Sequence, residues 1–272
     1  MTTDHSDTIF SGSIPEIYET YLVPLIFEAY AKDLARRVRG KPISRVLEIA
    51  AGTGVVTRAM VDALEPNVSI VATDLNQAML DHGASVRADK NVDWRQADAL
   101  ALPFEDATFD AVVCQFGVMF FPDRPNAYSE ALRVLKRGGH FLFSVWDHIR
   151  ENEFADTVTE SLAGVFPADP PQFLARTPHG YSDINEVASD LRKGGFTATP
   201  NIETIAARSK ASNPSIPAIA YCQGTPLRNE IESRDSSLLK YATDVAAAAV
   251  SERFGAGAVD GKIQAHVVSI RA

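Results

Sequence analysis

Apolar positions along the chain fall into two alternating kinds of run. Short stretches, Val46 to Ile49, Ser69 to Asp74, Val92 to Leu100, Phe109 to Phe116 and His140 to Trp146, read as five strands, all but the third with the apolar composition of buried ones. After the first of them, Val55, Met60, Val61 and Leu64 recur at helical spacing. Before the fifth, Leu132 and Leu135 with Lys136, Arg137, Gly138 and Gly139 read as a helix end and a glycine turn, the two cations complementing the helix C-terminus. Strands alternating with helices in this way predict an α/β domain around a mostly parallel sheet.

Three segments stand outside that alternation. Pro15 to Arg39 reads as one helix, with Ile17, Tyr18, Tyr21, Leu22, Leu25, Ile26, Tyr30 and Leu34 on its apolar side and a kink at Pro24. Asn152 to Gly195 carries a helix, the irregular stretch Pro167 to Pro171, and a second helix from Ile184 to Arg192 stopped by Gly194 and Gly195. Asn201 to Ala207 and Lys262 to Ile270 read as strands, and between them Ile216 to Cys222 and Ser237 to Phe254 read as helices. The expected organisation is a single domain over 1–272, with an N-terminal lid helix over 14–40, a core over 41–147 and a helical insertion over 208–261 between the last two strands. So long an insertion serves as a lid or binding surface, or as a dimer interface.

Candidate chemistry concentrates at strand ends. Glu48 closes the first strand and is followed by Ala50, Ala51, Gly52, Thr53 and Gly54, where glycine lets the backbone bend and approach a ligand closely. The helix after this loop begins with free N–H groups directed at whatever the loop holds. A dinucleotide fingerprint would need a third glycine, and Val55 and Val56 follow Gly54 instead. Asp74 ends the second strand, where a carboxylate can accept hydrogen bonds from both hydroxyls of a ribose, and Asp98 closes the third, placed to accept from an exocyclic amine. Open α/β sheets bind ligands at this edge. Three acids suit a ligand with amines and hydroxyls and no phosphates.

These residues, together with the segment Leu102 to Phe116 and with Phe120, Phe121, Pro122 and Asp123, resemble the class I S-adenosylmethionine-dependent methyltransferases, in the small-molecule group that includes the ubiquinone and menaquinone biosynthesis methyltransferases. The resemblance spans Lys41 to Asp147. It implies a Rossmann-like seven-stranded, mostly parallel sheet of order 3-2-1-4-5-7-6, with helices on both faces and helical lid insertions. S-adenosyl-L-methionine is the implied cofactor and S-adenosyl-L-homocysteine its product. The implied cofactor contacts are Tyr18, Tyr21, Glu48, Ala50, Gly52, Thr53, Gly54, Asp74, Leu75, Met79, Asp98, Ala99, Leu100, Gln115 and Phe116. Family members usually carry glycine where Ala50 stands, and the added methyl is expected to narrow the cofactor site slightly and to bear on affinity.

Composition removes several rivals. A chain of 272 residues with 46% hydrophobic content can bury a large core. Its formal net charge of -9 gives no broad attraction to phosphate backbones, so nucleic acid is not an expected partner. Two cysteines, one of them Cys114 in a strand of buried type, make no disulfide framework, and no metal site is expected. No basic region followed by an apolar run opens the chain, and no stretch approaches the roughly 18 apolar residues of a membrane span. The expectation is a cytoplasmic monomer or homodimer without stable membrane insertion.

Methyl transfer is an in-line displacement, in which the protein aligns the partners and excludes water. Aromatic faces favour a sulfonium cation, which singles out Tyr18, Tyr21 and Phe116, whose other reading is core packing. Where the acceptor must lose a proton, the candidate bases are His148, just past the fifth strand, and His179, in the loop Thr177 to Tyr181; each otherwise reads as a solvated loop residue. The expected function is methyl transfer from S-adenosylmethionine to an O, N or C atom of a small-molecule acceptor. Its rivals are an NAD-dependent oxidoreductase, which Asp74 alone would permit, and a non-catalytic cofactor-binding protein.

Overall fold

The computed structural model of the chain describes residues 5–10 and 12–272. Residues 1–4, part of the chain's polar opening, lie outside them. Seven strands form one sheet: β1 (Arg45–Ile49), β2 (Ser69–Asp74), β3 (Val92–Gln96), β4 (Phe109–Gln115), β5 (Leu135–Trp146), β6 (Asn201–Ala211) and β7 (Val259–Arg271). Their order is β3-β2-β1-β4-β5-β7-β6, as the resemblance implies. The pairings β1 with β2, β1 with β4, β2 with β3 and β4 with β5 are all parallel. Strand β7 runs against β5, since Gly138 N–H reaches Ala272 O at 3.1 Å while Asp147 N–H reaches Gln264 O at 3.1 Å. The sheet is therefore mixed.

The helices are α1 (Ile14–Ile17), α2 (Glu28–Arg39), α3 (Val55–Ala63), α4 (Gln77–Val86), α5 (Arg124–Val134) and α6 (Glu153–Val165). They continue with α7 (Phe173–Arg176), α8 (Ile184–Lys193), α9 (Ser215–Gln223), α10 (Leu227–Asp235) and α11 (Leu239–Phe254). Internal contacts divide the chain into two compact units.

The first, a sheet unit, comprises Glu28–Val145, Tyr181–Ile205 and Ala265–Ala272. Leu34 and Val38 of α2 and Val56 and Met60 of α3 close over Val46, Ile70, Ala111, Val113 and Leu142 in one fully buried cluster. Burying each such side chain contributes about 1.5–3 kcal/mol, which is why these helices and strands hold together without a disulfide. Edge strand β3 lacks a neighbour on one side and is only half-buried.

Two readings of this unit are corrected. The glycine turn expected after Leu132 is part of β5: α5 stops at Val134 and the strand starts at once. Between the pairs Phe109 with Leu135 and Ala111 with His140 the strand carries extra residues, so Gly138 (φ 77°) sits in a bulge that resembles a turn in sequence. The third strand stops at Gln96, short of Leu100, because Ala101 N–H folds back onto Asp98 O at 3.1 Å.

The second, a helical unit, comprises Met1–Phe27, Trp146–Gly180 and Ala206–Gln264. The single kinked helix expected over 14–40 is resolved into α1, a π-helical stretch Tyr18–Phe27 and α2, which belongs to the sheet unit. Pro24 has no N–H to give and crowds the carbonyl one turn back, and the stretch around it is wound as a π-helix. Helix α11 packs on α9 and on α6. Helix α10 was not expected, and the last two strands run further than the alternation predicts. Buried Asp7 takes the Arg176 guanidinium at 2.7 Å and the Thr177 hydroxyl at 2.5 Å, and Arg176 also meets Glu230 at 2.7 Å. Among the described residues, no helix is long and apolar enough to cross a membrane.

Candidate functional site

The ends of β1, β2 and β4 bring one set of groups together within the sheet unit. Beyond Ile49 the backbone turns through left-handed conformations at Ala50 (φ 54°), Gly52 (φ 56°) and Gly54 (φ 83°) before α3 begins. Ala51 N–H bonds to Thr73 O at 2.8 Å, and Gly54 N–H closes the turn onto Ala51 O at 2.9 Å. Arg58, one turn into α3, holds Thr53 O at 2.6 Å. No side chain caps α3, which leaves its first N–H groups directed outward from the loop.

Asp74 fixes this loop from the neighbouring strand. Its Oδ2 accepts Gly52 N–H at 2.8 Å and its Oδ1 accepts Asn76 N–H at 2.8 Å. Burial raises the Asp74 carboxyl above the usual range, and the N–H groups of Asn76 and Gly52 pull the other way. Next to it the Leu75 side chain is 51% exposed, an apolar surface beside a carboxylate, while Met79 is buried beneath. Asp98 lies exposed just past β3, where its Oδ1 accepts Leu100 N–H at 2.9 Å. Ala99 is buried, and Leu100 O takes the Asn126 amide at 3.2 Å.

Glu48 occupies a different place from Asp74. It points into the protein, almost fully buried, and accepts the Thr57 hydroxyl at 2.5 Å. Burial, with some help from Asp74, pushes its carboxyl up to about 8 against Thr57 and Arg58, so at neutral pH it is a protonated strut beneath the loop. Gln115 ends β4 and Phe116 follows it, both buried, with Phe116 in a left-handed conformation (φ 53°) and edge-on to Tyr30 at 5.3 Å.

Three positions escaped the sequence reading. Trp94 on β3 covers the loop, so closely that a Cβ added to Gly54 would fall 2.4 Å from its ring. A Cβ on Gly83 would meet the Thr53 backbone and Trp94 at 3.0 Å, which seats α4 tightly on the same loop. Gly117 faces Ala50, and a Cβ there would fall 2.5 Å from the Ala50 methyl and 2.8 Å from Cys114 Sγ. Lone glycines and a tryptophan on an edge strand carry no pattern that periodicity can detect.

The remaining candidates belong to the helical unit. Tyr18 is half-buried, stacked on Phe27 at 5.1 Å and edge-on to Phe10 at 6.1 Å; Tyr21, three residues on, is also half-buried. His148 is exposed and its Nδ1 accepts Arg150 N–H at 3.3 Å. His179 is buried, 5.9 Å from the Trp146 ring, with Nδ1 2.8 Å from Asp147 O. A carbonyl only accepts, so Nδ1 carries the proton and Nε2 keeps its lone pair. Burial pushes this imidazole down to about 4. The 147–148 turn is fixed in its place by Asn152, whose amide N–H groups reach Asp147 O and His148 O at 3.3 Å, and by Gln264, whose amide reaches Asp147 Oδ2 at 2.6 Å. Among the described residues no group of three or more His, Cys, Asp or Glu is arranged to hold a metal ion.

The donor set at the strand ends fits S-adenosylmethionine. Thr53 Oγ1 is buried without a hydrogen-bond partner among the described residues, a polar atom in the loop that lacks the contact burial demands. Carboxylates at Asp74 and Asp98 and an apolar surface at Leu75 are the kinds of group that the hydroxyls, amine and flat ring of such a ligand would need, and no cationic cradle for a pyrophosphate is present in the loop.

Known proteins show which family the chain resembles. Residues 24–200 match the model of the ubiE/COQ5 methyltransferase family. The ubiquinone/menaquinone biosynthesis C-methyltransferase UbiE of Rhizobium leguminosarum bv. trifolii is 32% identical over 179 residues, covering 58% of this chain and 67% of that protein. The demethylmenaquinone methyltransferase of Renibacterium salmoninarum is 38% identical over 127 residues, 47% of this chain and 52% of that protein. Among solved structures, the YcgJ protein of Bacillus subtilis shares the fold with a TM-score of 0.55 at 19% identity, over 89% of this chain and 98% of that one.

Proposed function

The chain belongs to the ubiE/COQ5 methyltransferase family and is an S-adenosylmethionine-dependent methyltransferase acting on a small molecule; on that premise we propose which of its groups hold the cofactor and which serve the acceptor. The observation that carries the assignment is the Asp74 carboxylate bonded to Gly52 beside the unpartnered Thr53 hydroxyl. Asp74 takes the ribose hydroxyls and Asp98 the adenine amine, the loop from Ala50 to Gly54 takes the amino acid end, and Leu75 packs against the adenine. Met79, Ala99, Leu100 and Gln115 complete the surround, with Glu48 supporting the loop from beneath.

When bound, the cofactor supplies the methyl carbon and its own thioether leaving group. The chain's work is then alignment and exclusion of water. Phe116, Tyr18 and Tyr21 are the aromatic groups we put forward for the sulfonium. His179 is the base we put forward in preference to His148, because its tautomer is set by the Asp147 carbonyl and its imidazole stays neutral. It takes the proton that the acceptor releases as the new bond to the methyl carbon forms. We assign the choice of acceptor to the N-terminal helical segment and to residues 208–261, which lie beyond the family match ending at residue 200.

Calorimetry tests the cofactor reading. The purified chain is expected to bind S-adenosylmethionine and S-adenosylhomocysteine saturably and NAD not at all. Saturable NAD binding with no response to either adenosyl ligand would overturn it. A non-catalytic binder would bind both adenosyl ligands yet release no S-adenosylhomocysteine with any acceptor.

A further inference from the structure

Ala50 stands in a left-handed conformation (φ 54°) that L side chains adopt at a cost and that glycine would adopt freely. The loop nevertheless keeps the methyl. A β-carbon built on Gly117 would lie 2.5 Å from the Ala50 methyl but 3.9 Å from the Ala50 Cα, so the methyl is the part of Ala50 that projects toward Gly117. Cys114 Sγ, 2.8 Å from the same built position, closes the space from below. Gly117 follows Phe116, itself left-handed (φ 53°) and tied by its N–H to Ser144 O at 3.1 Å. Thus the turn after β1 and the turn after β4 meet through one methyl group seated on one glycine.

We propose that the Ala50 methyl is a positioning contact: seated on Gly117, it sets the spacing between the 50–54 loop and the 115–117 turn and so fixes both before the cofactor arrives. The inference rests on the cofactor reading given above. A merely tolerated alanine would be replaced by glycine with no loss, or with a gain as the left-handed strain is relieved. A positioning methyl gives the opposite sign. Without it residue 50 regains the conformational freedom of glycine, the two turns lose their common stop, and binding must order them. The Ala50 methyl is directed at Gly117, where the absence of a side chain receives it.

The test is Ala50→Gly against Ala50→Ser, which keeps the β-carbon. Affinity for S-adenosylhomocysteine, measured by calorimetry, is expected to fall about three- to tenfold in Ala50→Gly and to stay within about twofold of the wild type in Ala50→Ser. Amide hydrogen exchange of the ligand-free protein is expected to quicken at 50–54 and 115–117 in Ala50→Gly only. Binding by Ala50→Gly as tight as the wild type, or unchanged exchange at both turns, overturns the inference and leaves the cofactor reading standing. A wild type that does not bind the adenosyl ligand overturns both.

Discussion

Gly52 gives its N–H to the Asp74 carboxylate at 2.8 Å, so the acid that ends the second strand also holds the turn that follows the first. Its other oxygen is engaged with Asn76. Under the proposed cofactor reading, the two oxygen atoms that would take the ribose are the same two that hold the loop.

Asp74→Ala is expected to weaken cofactor binding more than Asp98→Ala does, because Asp98 braces only its own turn at Leu100. Each hydrogen bond to the charged group is worth about 1.5–3 kcal/mol, so the loss at Asp74 is about tenfold or more in affinity. Titrating both folded variants with S-adenosylhomocysteine checks the order. The reverse order would mean that the ribose lies elsewhere.

Glu48 makes stability depend on pH. With its carboxyl pushed up to about 8 by burial, the folded chain keeps a proton that the unfolded chain releases in the ordinary carboxylate range. Its stability is then undiminished below that range, falls as pH rises toward about 8, and levels off above. Asp74, raised by burial as well, adds to the slope. Glu48→Gln keeps an acceptor for Thr57 and removes the titration. Urea unfolding at several pH values is expected to show a flatter profile for this variant, with a gain on the order of a few kcal/mol on the alkaline side. Parallel profiles would remove Glu48 as the cause.

Gly54→Ala meets two obstacles, a left-handed backbone (φ 83°) and a Trp94 ring 2.4 Å from the new methyl. It is expected to cost about 1–3 kcal/mol of stability and to lower cofactor affinity. Trp94→Leu in the same chain removes the collision and not the backbone strain, so the double variant should recover only part of the melting temperature. Full recovery would show that the conformation at Gly54 is unstrained.

His179→Asn keeps a side-chain donor near the Asp147 carbonyl and removes the lone pair at Nε2. Turnover is expected to drop about 10²- to 10⁴-fold with cofactor affinity unchanged, while His148→Ala stays near the wild type. Because burial pushes His179 down to about 4, the imidazole remains neutral well below pH 6 and the rate should show no acid limb from it there. The same depression means that the unfolded chain takes up the proton first as pH falls, so stability from this group is intact at neutral pH and is lost between the ordinary histidine range and about 4. Equal rates for His179→Asn and the wild type would sink the assignment.

The sheet was legible because strands buried on both faces are spelled as nearly continuous apolar runs, with Val46 to Ile49 and Phe109 to Phe116 the clearest. The loop was legible because only glycine serves Gly52 and Gly54 cheaply. What stayed hidden has physical reasons. Gly138 in a bulge and a glycine in a turn are spelled alike. Pro24 announces a disturbed helix without saying whether it bends or widens. Helix α10 buries only Leu227 and Ile231, too few for a periodic signal. Glu48 and Asp74 look equivalent at two strand ends, yet one is a buried strut to Thr57 and the other holds the loop's amides.

The chain has two tryptophans. One of them, Trp94, rests its six-membered ring on Gly54 and against Gly83. The loop thus carries its own optical label, since indole emission responds to changes in packing and to the water that reaches the ring. Trp146→Phe would leave Trp94 as the sole emitter, and ordering of the loop could then be followed in real time, without dye or radiolabel, before an acceptor has been found.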